Sequence, residues 1–422
     1  MNNTALRQQA LSSDIPFVDY ILAKIKNKKQ DTGIHSTLFA ACPNSEAVIK
    51  AALRAAKRAN APIAFAATLN QVDRDGGYTG MTQHQFVKKV RLEAGAICFD
   101  GPIIIGLDHG GPWLKDIQAI NKWDLKKCMD WVKTSLEVSI EAGYDLLHID
   151  PTVDITLEKG KPMPIELVVE RTVELIRHAE QFRRKSGFPR VAYEVGTEEV
   201  HGGLADMDVF RKFMYLLKQG LAESSLADVW PCFVVGKVGT DLHTTFFDPD
   251  TAKRLIAEAA NYGSVIKGHY TDDVTNPGAY PESGMGGANV GPEFTTLEYD
   301  ALYSLSLLEE KLEREGRIAV TSQIMQSLES AVVESGRWQK WLQEDEKGLD
   351  FDKLSPERKE WLIKTGCRYI WTENRVYASR SRLNENLTRN GILVEDILLM
   401  EIEKAMDKYF REFNLINLND NL

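Results

Sequence analysis

The stretch PIIIGLDHGGP, residues 102–112, decides how this chain is read: an apolar run leads straight into a carboxylate and an imidazole. A run this short, rich in β-branched residues and without alternation, predicts a strand buried on both faces, as in a parallel sheet. Seven more runs of that kind recur, at 34–41, 62–69, 145–149, 191–195, 232–238, 265–267 and 288–290. Segments of helical period lie between them, among them 45–60, 124–142, 165–185 and 206–220. Strands alternating with helices predict βαβ units, and eight of them predict an α/β fold of the (β/α)8 TIM-barrel type. An open doubly wound sheet would announce itself with GxGxxG after its first strand, and here residues 42–45 read CPNS instead.

The first thirty residues read as one or two helices ending in the basic run 24–29, a solvated helix end. From about residue 310 strand-like runs disappear, and Glu, Lys, Arg and Trp become frequent. We therefore expect a barrel with a helical lead-in over residues 1–312. A C-terminal helical extension, 313–422, should pack on it, anchored by Trp338, Trp341, Trp361 and Trp371.

Composition narrows the function classes. Acidic residues outnumber basic ones, 61 against 51, for a formal net charge of −10, which argues against nucleic-acid or anionic-membrane partners. The five cysteines are scattered and never spaced CxxC, so neither a disulfide framework nor a Cys-based zinc site is expected. No apolar leader or membrane-length run stands out, and a cytoplasmic protein is expected.

In a parallel barrel the residues just after each strand converge on one face, where catalytic groups gather. Here those positions are polar. The third strand ends in Asp108 and His109; the fourth carries His148 and, two residues on, Asp150. The fifth offers Glu194, then Glu198, Glu199 and His201; the sixth Lys237, Asp241 and His243; the seventh Lys267, His269, Asp272 and Asp273; the eighth Asn289 and Glu293. Of only eight histidines, five (His109, His148, His201, His243, His269) fall at such ends. Imidazoles and carboxylates without thiolates suit a catalytic divalent metal, Zn2+ first, with Mn2+ or Co2+ as alternatives. The loop NQVDRDGGYTGMT, residues 70–82, with Asn70, Gln71 and Gly77, suits hydroxyl or phosphate binding through backbone N–H groups. The run 275–287 reads as a mobile loop, either a lid or a plain connection.

The segments NQV…GGYTGMT, GLDHGGP, HID and GHYTDD resemble the Z-type subunit family of tagatose-1,6-bisphosphate aldolase, over roughly residues 33–400. The resemblance implies a class II aldolase-like barrel. It further implies a proton-transferring Asp108, zinc-binding His109 and His269, metal or substrate contacts from Asp150 and Glu194, and a substrate-holding Asn289. The remaining zinc histidine follows Gly-Thr in the aldolases; here Asp241 or His243 is left to serve. Asp272 replaces their phosphate-binding Ser, with Lys237 or Lys267 to supply compensating charge. The expected chemistry is retro-aldol and aldol reaction on a ketohexose or its phosphate. It ends as C4 epimerisation if the aldehyde rotates and recombines, or as aldol cleavage if it leaves. The alternative is an accessory subunit of a separate catalytic aldolase chain. A homo-oligomer is expected, with a hetero-complex as the second possibility. A sugar kinase finds no support, since no GxxxxGK[ST] loop is present.

Overall fold

The computed structural model describes residues 2–158, 163–197 and 203–422. Eight strands form the barrel: β1 (Leu38–Ala41), β2 (Ile63–Thr68), β3 (Ile103–Gly110), β4 (Leu146–Ile149), β5 (Ala192–Gly196), β6 (Phe233–Val235), β7 (Val265–Gly268) and β8 (Gly287–Val290). Each pairs in parallel with its sequence neighbour, and β1 closes the ring by pairing with both β2 and β8. The expected (β/α)8 barrel is the architecture found. No helix among the described residues is long and apolar enough to cross a membrane.

The strands are short and almost wholly buried because helices cover them outside while their own side chains fill the inside. β3 departs from regularity where it matters. Leu107 pairs with Leu147, but Gly110 pairs with Ile149, so β3 carries one extra residue at Asp108–His109. His109 absorbs the bulge with φ 50°. Left-handed backbone at a non-glycine residue costs on the order of 1–3 kcal/mol, and here it turns two consecutive side chains toward the barrel mouth. Gly111 makes the crossing possible: a Cβ there would lie 1.8 Å from the Asp150 carbonyl oxygen.

The N-terminal helices Asn3–Ser12 and Phe17–Thr32 close the base of the barrel. Arg7 reaches in to grip Asp145 at 2.6 and 2.8 Å and the Ile103 carbonyl at 2.7 Å. The C-terminal helices are built into the core as well. Helix Val394–Glu412 packs on helix Glu46–Ala59, whose alanine face is buried. Arg54–Glu403 and Arg58–Asp407 ion pairs, at 2.7 and 2.8 Å, flank the contact. Tyr409 stacks on Phe39 of β1 at 5.5 Å, and Phe410 meets the same ring edge-on at 5.3 Å. The boundary expected near residue 312 falls inside the continuous helix Pro292–Arg314. Of the four expected tryptophan anchors, Trp338 and Trp371 are buried, and Trp341 and Trp361 are partly so.

The run 275–287, expected as a mobile loop, is pinned instead. It contains the short helix Ala279–Ser283, and Tyr280 is fully buried against Phe247 at 4.0 Å.

Candidate active site

At the mouth, Asp108, His109, His148 and His269 come together, each offering a ligand atom within 4.8 Å of the others. The three imidazole centroids stand 4.9 to 5.2 Å apart. The outer contacts of this group are hydrogen bonds to residues on, or just after, other strands of the barrel. His109 Nδ1 meets Asp150 Oδ2 at 2.5 Å, and Thr152 Oγ1 donates to the other oxygen of Asp150. His269 Nε2 meets Glu194 Oε1 at 2.9 Å, while Lys267 Nζ holds Glu194 Oε2 at 2.6 Å. Asn289 Nδ2 donates to Asp108 Oδ2 at 3.3 Å. The alternation of strand side chains explains the pairs His148/Asp150 and Lys267/His269, each two residues apart on one face.

The two ring nitrogens left over point at each other: His269 Nδ1 lies 3.2 Å from His109 Nε2. With both outer nitrogens donating to carboxylates, the facing atoms both present lone pairs, so a proton or a cation must lie between them. Nitrogens about 2.0–2.1 Å from one tetrahedral ion would stand at about that separation. The site thus fits a divalent cation on His109 Nε2 and His269 Nδ1. His148, whose Nδ1 accepts the His109 amide at 3.1 Å and whose Nε2 has no partner, or Asp108 itself could complete the set.

With no ion between the rings, the surrounding charges favour the proton. Burial alone would lower the His109 pKa, but Asp108 and Asp150 push it up to about 9. Burial alone would raise Asp108, but His109 and His269 hold it well below the usual carboxylate range. Glu194 is likewise kept low, against burial, by the Lys267 charge first and then by His148 and His269. His148 Nε2 and Asn289 Oδ1 are buried without partners.

The other residues singled out by the sequence lie elsewhere. Asp241 Oδ1 accepts the His243 and Thr244 amides at 2.6 and 2.7 Å, which makes it a turn residue. The His243 ring packs on Trp361 at 5.0 Å. Neither joins the cluster, because the chain after β6 turns outward at this point, and His148 on β4 is the cluster's third imidazole. Asp272 Oδ1 accepts the amides of Gly291 and Glu293, both at 2.8 Å, at the start of helix Pro292–Arg314. Burial first, and the Glu293 charge, push its pKa up to about 7. Lys237 offers its carbonyl to the Ala205 amide. Glu198, Glu199 and His201 lie outside the described residues.

The loop 70–82 is a brace. Asn70 clasps the β3 loop through the Leu114 carbonyl and the Asp116 amide, and Gln71 donates to Asn44 Oδ1 at 2.7 Å. The amides expected to hold a ligand are used internally. Gly77 N–H reaches Asp75, Tyr78 N–H the Asn70 carbonyl, and Thr79 N–H the Gln71 carbonyl.

A family model described as D-tagatose-1,6-bisphosphate aldolase subunit GatZ/KbaZ-like matches residues 22–409. The D-tagatose 6-phosphate 4-epimerase of Agrobacterium fabrum (strain C58) is 26% identical over 405 residues, covering 90% of this chain and 89% of that protein. The crystal structure of a probable tagatose 6 phosphate kinase from Sinorhizobium meliloti 1021 is similar at TM-score 0.71 and 22% identity, over 89% of this chain and 100% of that one. Fructose-bisphosphate aldolase from Campylobacter jejuni is similar at TM-score 0.55 and 12% identity, over 95% of both chains. At such identities the two structural likenesses speak for the fold alone.

Proposed function

This chain belongs to the D-tagatose-1,6-bisphosphate aldolase subunit GatZ/KbaZ-like family, and on that premise we propose that it is a metal-dependent 4-epimerase acting on fructose 6-phosphate and tagatose 6-phosphate. One observation carries the reading: His109 and His269 face each other 3.2 Å apart, each backed by a carboxylate. The similarity to a D-tagatose 6-phosphate 4-epimerase along nine-tenths of the chain supports the substrate class.

A divalent cation held by His109, His269 and either His148 or Asp108 would polarise the ketose carbonyl and stabilise the enediolate. Asp108, ionised and buried beside this site, takes the proton from the C4 hydroxyl. The C3–C4 bond breaks, its electrons pass into the enediolate, and C4 becomes an aldehyde. Rotation of that aldehyde presents its other face. The bond re-forms, Asp108 returns the proton, and C4 is inverted. Asn289 holds Asp108 for the transfer through its bond to Oδ2. Asp150 and Glu194 fix the two histidines from behind, and Lys267 fixes Glu194.

If the aldehyde leaves instead, the reaction is an aldol cleavage of tagatose bisphosphate. A second reading rests on the family description itself, which names a subunit: an accessory chain that assembles with a separate catalytic aldolase. Purified chain would be given fructose 6-phosphate and tagatose 1,6-bisphosphate with Zn2+ or Mn2+, then EDTA. Metal-dependent tagatose 6-phosphate establishes the epimerase, and triose phosphate release establishes the aldolase. No product together with no retained metal leaves the accessory subunit.

A further inference from the structure

The substrate proposed above carries a phosphate, and the place where a barrel commonly binds one is occupied by the chain itself. Phosphate sites in these barrels form from the loops after strands seven and eight and a helix N-terminus. Here Asp272 Oδ1 takes the Gly291 and Glu293 amides at that terminus. A carboxylate already fills that anion position.

A positive group stands close by. Arg368, from the segment Cys367–Tyr369 of the C-terminal extension, is 5% exposed. Its Nη1 is buried without a hydrogen-bond partner, and no carboxylate pairs with it among the described residues. Its guanidinium lies 4.8 and 4.9 Å from the Tyr369 and Trp341 rings, which hold it by their π faces. Arg368 bonds Tyr369, yet a buried guanidinium with no counter-charge is costly in the free protein and is repaid when an anion docks on it.

A second donor waits beside the same surface. Asn44, at the end of β1, accepts from Gln71 Nε2 and from the Tyr78 hydroxyl at 2.7 and 2.9 Å, which fixes its amide. Its Nδ2 is buried and has no partner. Tyr78 connects the two donors, its ring edge-on to Tyr369 at 5.2 Å. The pair also lies next to the chemistry. The Arg368 charge acts on Cys42 and on Tyr270, and so does the charge of Asp108. Asn44 Nδ2 is 3.6 Å from where a Cβ on Gly291 would stand, two residues beyond Asn289.

We propose that Arg368 and Asn44 form the binding site for the substrate's phosphate, so that the C-terminal extension supplies the anion-recognising half of the active site. The inference rests on the epimerase reading for the identity of the sugar, and on the two unpaired donors for the phosphate.

Calorimetry on the whole chain tests it, using inorganic phosphate, fructose 6-phosphate, fructose and fructuronate against the parent, Arg368→Met and Arg368→Lys. Thermal melts accompany each variant, and the lysine variant keeps the charge if the methionine one fails to fold. Arg368→Met should weaken phosphate and fructose 6-phosphate by about 30- to 300-fold and leave fructose unchanged, with Arg368→Lys intermediate. Asn44→Asp should weaken the same two ligands by placing a carboxylate beside them. Unchanged phosphate affinity in Arg368→Met overturns the site, as does equal loss for fructose and its phosphate. Fructuronate bound as tightly as fructose 6-phosphate overturns the assignment to phosphate. Phosphate bound through Arg368 by a chain that converts no ketose phosphate upholds the site and sinks the epimerase. Epimerisation indifferent to Arg368→Met does the reverse.

Discussion

Replacing Glu194 with Gln tests the interior of the site most directly. Glu194 is fully buried and bridges two positive or protonated groups, Lys267 Nζ at 2.6 Å and His269 Nε2 at 2.9 Å. The carboxamide keeps the shape but leaves Lys267, itself 3% exposed, as an uncompensated charge. Breaking a buried pair in this way costs about 3–5 kcal/mol. For 422 residues the unfolding entropy is about 0.9 kcal/mol per degree, so Tm should fall by about 3–6 °C. The lost backing of His269 should weaken Zn2+ binding by about 10- to 100-fold. The double variant Glu194→Gln/Lys267→Met separates the two effects. With no unpaired charge it should regain most of the lost Tm, yet bind Zn2+ as poorly as the single variant. Scanning calorimetry and competition with a chelator read the two quantities. A single variant melting within 1 °C of the parent, or a double variant no more stable than the single, would refute the buried-pair reasoning.

Asp108→Asn should lower epimerisation by about 100- to 10,000-fold, as expected when a proton-transferring group is lost, while the chain still elutes with metal. Loss of the metal in that variant would make Asp108 a ligand instead. Asp272 is raised toward 7, so its contribution is fully present below the unfolded carboxyl range and is lost as pH rises through about 7. Asp272→Asn should therefore gain stability over the parent at pH 8 relative to pH 5, by on the order of 2–4 kcal/mol in denaturant melts; a constant difference across that range would contradict it. At Gly77, φ is 52° and an added Cβ would lie 2.4 Å from the Gln71 carbonyl oxygen. Gly77→Ala should cost about 2 kcal/mol or more in urea unfolding, with near-parental stability disproving the brace.

The barrel was legible in the sequence because strands buried on both faces need no alternation, only short apolar runs set apart by helices. Its edges were less so. The first run was expected from residue 34, but Ile34 is half exposed, and Ser36 and Thr37 bond the Asn414 and Met285 carbonyls before the strand begins at Leu38. His109 and His269 could be named from their strand ends. His148 carried a readable sign, its two-residue spacing from Asp150, yet the one-residue bulge in β3 that brings Asp108 and His109 to it left none. Asp241 and His243 were named from their strand end and from a Gly-Thr whose register is off, and a turn after β6 takes them away. Arg368 had no local signal, since what singles it out is that no carboxylate among the described residues pairs with it.

The stack of Tyr409 and Phe410 on Phe39 joins the first barrel strand to a helix about 370 residues later in the chain. On the ribosome, at ~5–20 residues per second, Phe39 waits about 20–70 s for that cover. Throughout that interval β1 lacks its outer aromatic cover, and for most of it the β8 partner strand as well. The last turn of that helix, which carries Tyr409 and Phe410, is thus the piece of chain that finishes covering the first strand.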